Sequence, residues 1–498
     1  MPVNAAHPEY VDHKDQWERC RDTREGSDAV KSKKEKYLPR LDSMLKGDLR
    51  SEARYAAFLM RAYFYNAVGR TVEGLTGAIF QKDPVFEVPN TIEEHLDDIT
   101  MGGLSAAAFA LTVTDEVIAI GRVGVLVDMS ADPAPEKQRP YWALYEAEDI
   151  VSWRTERLAG DEVLTRVVLR EMVEELDPKD EFVTKPVEQF RVLTLAPGPS
   201  GGRVYGQAVY RKNTDGHWIL TETVTPARRG AALDYIPFVF LGPTSISACV
   251  EKPPLLDLVD VNLSHYRNMG TLEHGLHHTG TPTLVISDDK SQAGTEPIEF
   301  GSGVALMLAT AGKAEILQAD GENLGALERA AERKKGDMST LGAALLEKQA
   351  TAVAETATAV GMRQAGRHAT LRTIAGSVER GLSLVLQIHA WWFGTGDMDA
   401  IKASVELNKE FFALQMTPTQ AKELVLMWQA GGASWETTYY NLQRGGMTRP
   451  DVSAEEEQEA IDREDALRPA PPAPPTIPPK PGDPPMPMPA PDPAEGDE

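Results

Sequence analysis

The sequence predicts an α+β fold in which mainly helical parts flank a central block of antiparallel β-strands. Apolar residues recur at three- and four-residue steps in the stretch that begins at Ser51 and in several stretches after Pro254. Between about residues 121 and 242, short β-rich runs alternate with turn-rich breaks. Because strands and helices do not alternate along the chain, a Rossmann-type parallel sheet is not expected.

The first part of the chain is expected to be helical. Residues 1–50 are polar and carry the basic cluster KSKKEK (31–36), which is interpreted as a solvated helix face. One helix is predicted from Ser51 to the residues before Pro84, and a second over about 103–120. The first of these rests on the apolar positions Tyr55, Leu59, Ala62, Val68, Val72, Leu75 and Ile79.

The central block carries six runs with strand character, separated by breaks such as APGPSGG (196–202). The runs are GRVGVLVDM (121–129), YWALYEAEDIVSW (141–153), EVLTRVVLREMVEEL (162–176), EQFRVLTL (188–195), GRVYGQAVYRK (202–212) and HWILTETVT (217–225). Their order predicts an antiparallel β unit over about 121–242.

The chain is expected to become helical again after Pro253–Pro254, since proline suits the first turn of a helix. A helix is predicted over 255–278, ended by Gly280 and Pro282. A short strand-like section follows, and further helices are predicted over 322–340 and 356–393. The last helix has one apolar stripe, made of Leu371, Ile374, Val378, Leu382, Val385 and Ile388.

Residues 417–444 have the pattern of a helical hairpin. Thr417 and Pro418 suit the N-cap and the first helical position, AGG (430–432) suits the turn, and RGG (444–446) the end. The proline-rich, acidic tail over about 466–498 cannot bury enough apolar surface to fold and is expected to be extended and disordered.

Composition limits the class of protein. The 498 residues are 42% hydrophobic and carry a net charge of −24, which argues against a surface that coats nucleic acid. The two cysteines, Cys20 and Cys249, favour a reducing cytosol over secretion. No signal peptide and no membrane-spanning run of eighteen apolar residues is present in the sequence, so no membrane partner is expected.

The sequence lacks four common catalytic motifs. The chain contains no P-loop, no G-x-S-x-G nucleophile elbow, no H-E-x-x-H and no C-x-x-C. The hairpin at 417–444 is a poor helix-turn-helix, because its second helix has no basic residue before Arg444. Trp391 and Trp392 end an apolar helix and are interpreted as core residues or as an inter-subunit anchor. Neither an enzymatic activity nor a cofactor is expected.

HGLHH (274–278) is the one stretch that suggests a metal. His274 and His278 are one turn apart and could provide two ligands from one helix face. A third ligand would have to come from elsewhere, such as Asp288 or Asp289. The simpler interpretation, an ordinary helix end whose dipole favours protonated histidine, is preferred, and no metal site is expected.

Six motifs, taken in their order, resemble the portal proteins of tailed bacteriophages, especially a short-tailed-phage and prophage branch known only as a domain of unknown function. They are NAVGRTVEGLTGAIFQKDP (66–84), GRVGVLVD (121–128), YEAEDIVSWR (145–154), IPFVFLGP (236–243), PPLLDLVDVNLSHYRNMGTLEHGLHHTGTPTLVI (253–286) and ETATAVGMRQAGRHATLRTIAGSVE (355–379). None is diagnostic alone; their order and spacing over about residues 10–450 carry the resemblance.

The resemblance implies a homo-oligomeric ring, usually of twelve subunits, at one vertex of the capsid in the virion. Double-stranded DNA would pass through its channel without sequence-specific contacts, during packaging by a separate terminase and during ejection. A head–tail adaptor and the major capsid or scaffolding protein would be further partners, and assembly would take place in the cytoplasm of the bacterial host.

The resemblance also implies a division of the chain into the parts of a portal fold. These are a helical part of the wing (1–120), a β-rich wing (121–252), a stem helix (253–279), a β-containing clip (280–320), a returning stem helix with a tunnel loop (321–355), a long radial helix (356–398), a helical crown (399–465) and the tail (466–498). Candidate DNA-facing loop residues are Leu346, Glu347, Lys348, Gln349 and Thr351. Candidate basic channel residues are Arg329, Arg333, Lys334 and Lys335, whose alternative role is pairing with Glu328 and Glu332 across subunits.

Two other functions remain open at this point. One is a different structural protein of phage head assembly, although such proteins are commonly shorter. The other is a metal-dependent enzyme that uses His274 and His278.

Overall fold

The structure, a computed structural model of this chain, describes residues 3–45, 49–130, 138–158, 160–177, 180–198, 201–280, 283–287, 313–317, 324–342, 357–394, 397–409, 411, 418–449 and 452–467. The chain divides into two compact units, Met1–Phe411 and Phe412–Glu498.

The first unit combines helices and antiparallel strands, which confirms the predicted α+β class. Its described helices are α1 (Pro8–Glu25), α2 (Ser27–Ser32), α3 (Leu49–Arg61), α4 (Ala67–Ile79), α5 (Ala106–Ala119), α6 (Leu256–Gly280), α7 (Leu324–Leu341) and α8 (Ala357–Phe393). Short 3₁₀ turns lie at Lys34–Lys36, Asp42–Met44, Asn90–Asp98, Ala147–Asp149 and Met398–Ala400.

The strands of this unit pair only with antiparallel neighbours in the described part of the chain. They are β1 (Val85–Glu87), β2 (Val123–Met129), β3 (Pro140–Glu146), β4 (Ile150–Leu158), β5 (Asp161–Asp177), β6 (Asp180–Pro197), β7 (Arg203–Lys212), β8 (Trp218–Val224), β9 (Ala227–Arg228), β10 (Ala231–Ala232), β11 (Phe238–Leu241), β12 (Thr283–Ser287), β13 (Lys313–Leu317) and β14 (Ser404–Glu406).

The predicted β unit is confirmed as antiparallel, but it forms two main sheets. A three-stranded sheet has the order β11-β2-β3, and a five-stranded meander has the order β4-β5-β6-β7-β8. The 3₁₀ turn Ala147–Asp149 separates β3 from β4 and carries the chain from one sheet to the other. Smaller two-stranded pairs join β1 with β14, β9 with β10 and β12 with β13.

The hairpin of β5 and β6 extends beyond the rest of the meander. β6 begins at Asp180, although the sequence predicts strand character only from Glu188. The added residues, DEFVTKPV (180–187), show no regular apolar alternation, and their extended form comes from pairing with β5, as in Pro186 opposite Glu174. Phe182 near the tip is 89% exposed, so this ribbon has little core of its own.

The single helix predicted from Ser51 to the residues before Pro84 is wrong, because α3 and α4 are separate helices. Asn66 caps α4 by accepting a hydrogen bond from the backbone N–H of Gly69 at 2.8 Å. The buried Asn262 of α6 donates to the carbonyl of Tyr65 at 2.8 Å, which satisfies the non-helical linker between them. Apolar periodicity continues across this break and conceals it.

Helix α1 lies in the part of the chain that is expected to be helical, but no helix with these bounds is predicted from the sequence pattern. It is strongly charged, yet its inner side buries Trp17 and Cys20 completely. The basic cluster that follows it pairs with this helix, since Lys33 and Lys36 place their ammonium groups 2.8 and 2.7 Å from Glu18. Short ion pairs of this kind are typical of a solvated face.

Helix α8 supplies the centre of the first unit. All six apolar positions of its predicted stripe are buried, and the helix packs against α5 and the three-stranded sheet. A Cβ atom at Gly381 would lie 2.5 Å from Leu241 of β11, so the helix approaches the sheet too closely for a larger side chain. Trp392 is buried in this core, and Trp391 faces the guanidinium of Arg228 at 4.2 Å.

The second unit contains α9 (Pro418–Gln429), α10 (Trp435–Arg444) and α11 (Ala454–Leu467). The first two form the helical hairpin predicted over 417–444, with Ser434 capping α10. Thr417, the predicted cap of α9, lies outside the described residues, as do residues 468–498 of the predicted tail. Helix α11 lies in the acidic stretch after the hairpin, where the sequence pattern alone predicts no separate helix, although the resemblance implies a helical part up to residue 465.

Candidate functional site

Helices α6 and α7 form an antiparallel hairpin, and three close approaches define it. At one end, a Cβ atom at Gly275 would lie 2.5 Å from Leu324. Midway, the ammonium group of Lys334 donates to the carbonyl of Ser264 at 3.1 Å. At the other end, a Cβ at Gly342 would lie 3.0 Å from Leu258.

The hairpin is anchored to the helices that precede it. Gly270 faces α3 and the segment before it, since a Cβ there would meet Leu38 at 2.9 Å and Phe58 at 3.4 Å. Met338 of α7 is fully buried in the main core. The far end carries the paired strands β12 and β13, in the register Thr283 opposite Leu317.

The four basic residues of α7 do not share one face. At about 100° per residue around the helix axis, Arg329 and Arg333 lie side by side. Lys334 points about 120° away from the midpoint of that pair, and Lys335 lies on a third side of the helix. Arg329, Arg333 and Lys335 are exposed, whereas Lys334 is half-buried against α6. The four residues therefore cannot form a single basic stripe along a channel.

Arg267 of α6 belongs to the same basic region, and the sequence interpretation missed it. Burial, together with the positive charges of Arg267 and Arg333, lowers the pKa of Lys334. Arg267 is exposed. Its proximity to Lys334 depends on the antiparallel alignment of the two helices, and one isolated arginine in α6 gives no signal of that alignment.

A cleft of about 450 Å³ lies on the third side of α7. Its walls are Tyr63, Tyr65, His265, Met269, Leu272 and Ala331, and its charged side chains are Glu328, Glu332 and Lys335. Tyr63 and Tyr65 belong to the linker between α3 and α4, so the break in that predicted helix also builds the cleft. Their part in a site could not be predicted from the sequence.

His265 at the base of the cleft is held in an apolar setting. It is 5% exposed, its ring lies edge-on to Tyr65 at 6.3 Å, and its Nδ1 has no hydrogen-bond partner. Burial, with the positive charge of Lys334, lowers the pKa of His265 against the opposing effect of Glu332. The imidazole is therefore neutral at neutral pH.

HGLHH forms the end of α6 as predicted, and its histidines contact one another and α3. The Nε2 atoms of His274 and His278 are 3.1 Å apart, a hydrogen bond in which one ring donates and the other accepts. The His274 ring lies edge-on to Phe58, and Arg61 donates to Nε2 of His277 at 3.0 Å. Burial and the neighbouring positive charges lower the pKa of His274.

This arrangement provides two imidazoles where a catalytic zinc site needs three protein ligands. In the part of the chain that the structure describes, no group of three or more His, Cys, Asp or Glu side chains is placed to hold a metal ion. The suggested third ligands, Asp288 and Asp289, lie outside the described residues, and so does the predicted loop with Leu346, Glu347, Lys348, Gln349 and Thr351. Among the described helices, none is long and apolar enough to span a bilayer.

Comparison with known proteins gives one family and several solved structures. The model of a family described as a domain of unknown function, DUF4055, matches residues 254–393, which include α6, α7 and α8. None of the curated proteins matches the sequence.

Two similar solved chains come from a GTA particle. One, from the neck of the native particle computed with C12 symmetry, is 13% identical with a TM-score of 0.34, over 77% of this chain and 92% of that chain. The other, from the neck of the empty particle computed with C6 symmetry, is 12% identical with a TM-score of 0.35 over the same shares. Similarity at this level does not define a shared fold.

Proposed function

We propose that this chain is a structural subunit of a phage-like head–tail junction and, more specifically, a portal protein. In this proposal about twelve copies form a ring at one capsid vertex of the virion, and double-stranded DNA passes through its centre. Terminase, a head–tail adaptor and the capsid or scaffolding protein dock on the ring. The chain itself performs no chemistry, because the separate terminase hydrolyses ATP.

The observation that carries the proposal is the order of elements after the β-rich part, combined with the six sequence motifs. An antiparallel pair, α6 and α7, bears a small β pair at its far end, and the 37-residue helix α8 follows. In the proposal these are the stem (253–279 and the helical part of 321–355), the clip (280–320) and the radial helix (356–398). The β-rich part to residue 252 is the wing, and 399–465 is the crown.

The net charge of the chain favours a protein through which DNA passes over one that binds DNA tightly. Each phosphate that a protein neutralises adds salt-dependent affinity, and a conduit for DNA functions best with few such anchors. The net charge of −24 meets that requirement. In the proposal, the loop over 342–355, whose basic residue is Lys348, contacts the DNA. The basic side chains of α7 that face the channel contact it as well.

The proposal is tested by locating the chain in assembled heads. The chain would be produced with its capsid proteins, with a tag after residue 466, and the purified heads labelled with gold-conjugated antibody. We expect label at one vertex per head, with tagged chains forming a ring there. Label spread over all vertices, or heads that package normally without the chain, would contradict the proposal.

A further inference from the structure

Helix α7 carries two charged faces of opposite sign at one height. Glu328 and Glu332 lie on the side of the cleft, while Arg329 and Arg333 lie about 100° round the helix. All four side chains are exposed. Within the described residues, none of the four forms an ion pair, so each face has its charge available for a partner.

We infer that the Arg329–Arg333 face of one copy docks into the Glu328–Glu332 cleft of the next copy. This inference rests on the proposed ring and names its contact surface. The partner is a second copy of this chain because the same helix carries both the basic face and the acidic face that complements it. Contacts between two different faces of the same subunit are head-to-tail, which is the type of interface that generates rings.

The cleft is chemically suited to an arginine side chain. A guanidinium group binds carboxylates through two parallel hydrogen bonds and stacks on aromatic rings. Glu328 and Glu332 supply the carboxylates, and Tyr63 and Tyr65 supply the rings. Met269 and Leu272 add an apolar wall for the methylene groups. Lys335 also lines the cleft, but two acids outnumber its single charge.

The position of the two faces favours a closed ring over a filament. Each acid is one residue from its matching base along α7, a difference in height of about 1.5 Å. Successive copies joined through these faces therefore need almost no shift along the helix axis. The faces are not opposite each other on the helix, so each copy is turned relative to the last, as a closed ring requires.

DNA phosphate is the competing partner for Arg329 and Arg333. The glutamates one residue away would repel a phosphate backbone, and that occupant would leave the acidic cleft unmatched. A second copy satisfies both faces at once. The two partners are distinguished by testing whether assembly requires the acidic face of one copy and the basic face of the next to have opposite charges.

The test uses two variants of the whole chain. R329E/R333E makes both faces acidic, and E328R/E332R makes both faces basic. Alone, each variant should associate at least about 100-fold more weakly than wild type, because like charges then face each other at every contact. Mixed, the two variants should associate in equal amounts, with copies of the two kinds alternating. Native mass spectrometry resolves the two masses and their ratio.

The controls separate charge at this surface from charge or folding in general. K14E/K422E changes the net charge by the same amount as R329E/R333E at exposed positions outside the hairpin, and it should assemble like wild type. Circular dichroism and thermal unfolding should match wild type in every variant, since the six changed side chains are exposed.

The outcomes distinguish this inference from the proposed function. If wild type forms rings and either single-face variant does so equally well, or the mixture does not assemble, the inference is overturned and the portal proposal stands. If R329E/R333E assembles normally but no longer binds a DNA duplex, the arginines are DNA contacts and the inference is overturned. If wild type stays monomeric even with its capsid and scaffolding proteins present, the portal proposal loses its support, and failure of the two variants to bind each other overturns the inference as well.

Discussion

Lys334 of α7 donates a hydrogen bond to the backbone carbonyl of Ser264 in α6, with 3.1 Å between Nζ and the oxygen. This contact lies on the same side of α7 as the buried Met338, and together they fix the rotation of the helix about its own axis. The rotation turns Lys334 inward, Arg329 and Arg333 outward, and Glu328 and Glu332 toward the cleft. The electrostatic character of the hairpin follows from this rotation.

Replacing Lys334 with methionine should destabilise the hairpin. The variant keeps most of the side-chain volume but leaves the Ser264 carbonyl without this donor. We expect a loss of about 1 kcal/mol in the free energy of unfolding, measured by urea denaturation. K335M is the matched control, because that lysine is exposed, and it should unfold like wild type. Equal losses in the two variants would show that the Ser264 contact contributes nothing.

The pair formed by the half-buried His95 and the buried His389 should make the fold sensitive to acid. Nδ1 of His95 and Nε2 of His389 are 3.0 Å apart, and burial lowers the pKa of His389 from 6.5 to about 3. The folded state therefore rejects a proton that the unfolded chain accepts between these values. Stability is fully present above pH 6.5 and falls as the pH is lowered toward 3, by at most about 1.4 kcal/mol per pH unit.

The acid sensitivity is measured by urea unfolding at pH 7 and pH 5. H389Q keeps a neutral hydrogen-bonding side chain, and its stability should fall less between these pH values than that of wild type. H217Q, in an exposed loop, is the control and should retain the wild-type dependence. An undiminished slope in H389Q would assign the acid sensitivity to other groups.

Arg122 should be among the most important charged residues for stability. Its guanidinium contacts the rings of both Trp153 and Phe240, 4.3 and 4.6 Å from their centroids, and donates to the carbonyl of Ala248 at 3.0 Å. R122A removes both interactions in a buried setting, and we expect a loss of about 3 kcal/mol in the free energy of unfolding.

Two further variants check this assignment. R122K keeps the charge but not the planar fork, so its stability should be intermediate. R154A removes an exposed arginine on β4 that pairs with Glu156, and it should cost less than about 1 kcal/mol. A loss in R122A no larger than that in R154A would contradict the role given to the buried guanidinium.

The histidines of HGLHH should not form a metal site. We expect the purified chain to hold zinc well below one ion per copy, measured by elemental analysis after dialysis, because His274 and His278 supply only two ligands. H274A should hold the same small amount. Stoichiometric zinc that is lost in H274A would revive the metal-enzyme function.

Strong apolar periodicity made much of the fold predictable. Helices α5, α6, α7 and α8 lie within a few residues of their predicted bounds. In α5, α6 and α8 this is because each carries a buried apolar stripe that the sequence displays. Helix α1 was not predicted as a separate helix because charged residues surround its narrow buried side. The break between α3 and α4 was missed because it depends on Asn262, almost 200 positions away in the chain.

The candidate site was predictable in its residue types but not in its geometry. The sequence identifies the bases of α7 and their neighbouring acids, and it suggests both a DNA contact and a contact between subunits. Only the packing of α7 on α6 places the acids beside Tyr63 and Tyr65 and separates Lys334 from the two arginines. Such contacts join segments far apart in the chain, and local patterns do not encode them.

Native mass spectrometry of the purified wild-type protein, with negative-stain imaging of the same sample, tests whether this chain is the subunit of a ring. We expect a closed ring of about twelve 54.4 kDa copies around a central hole. A monomer or dimer that persists at high protein concentration, and also in the presence of its capsid and scaffolding proteins, would contradict it.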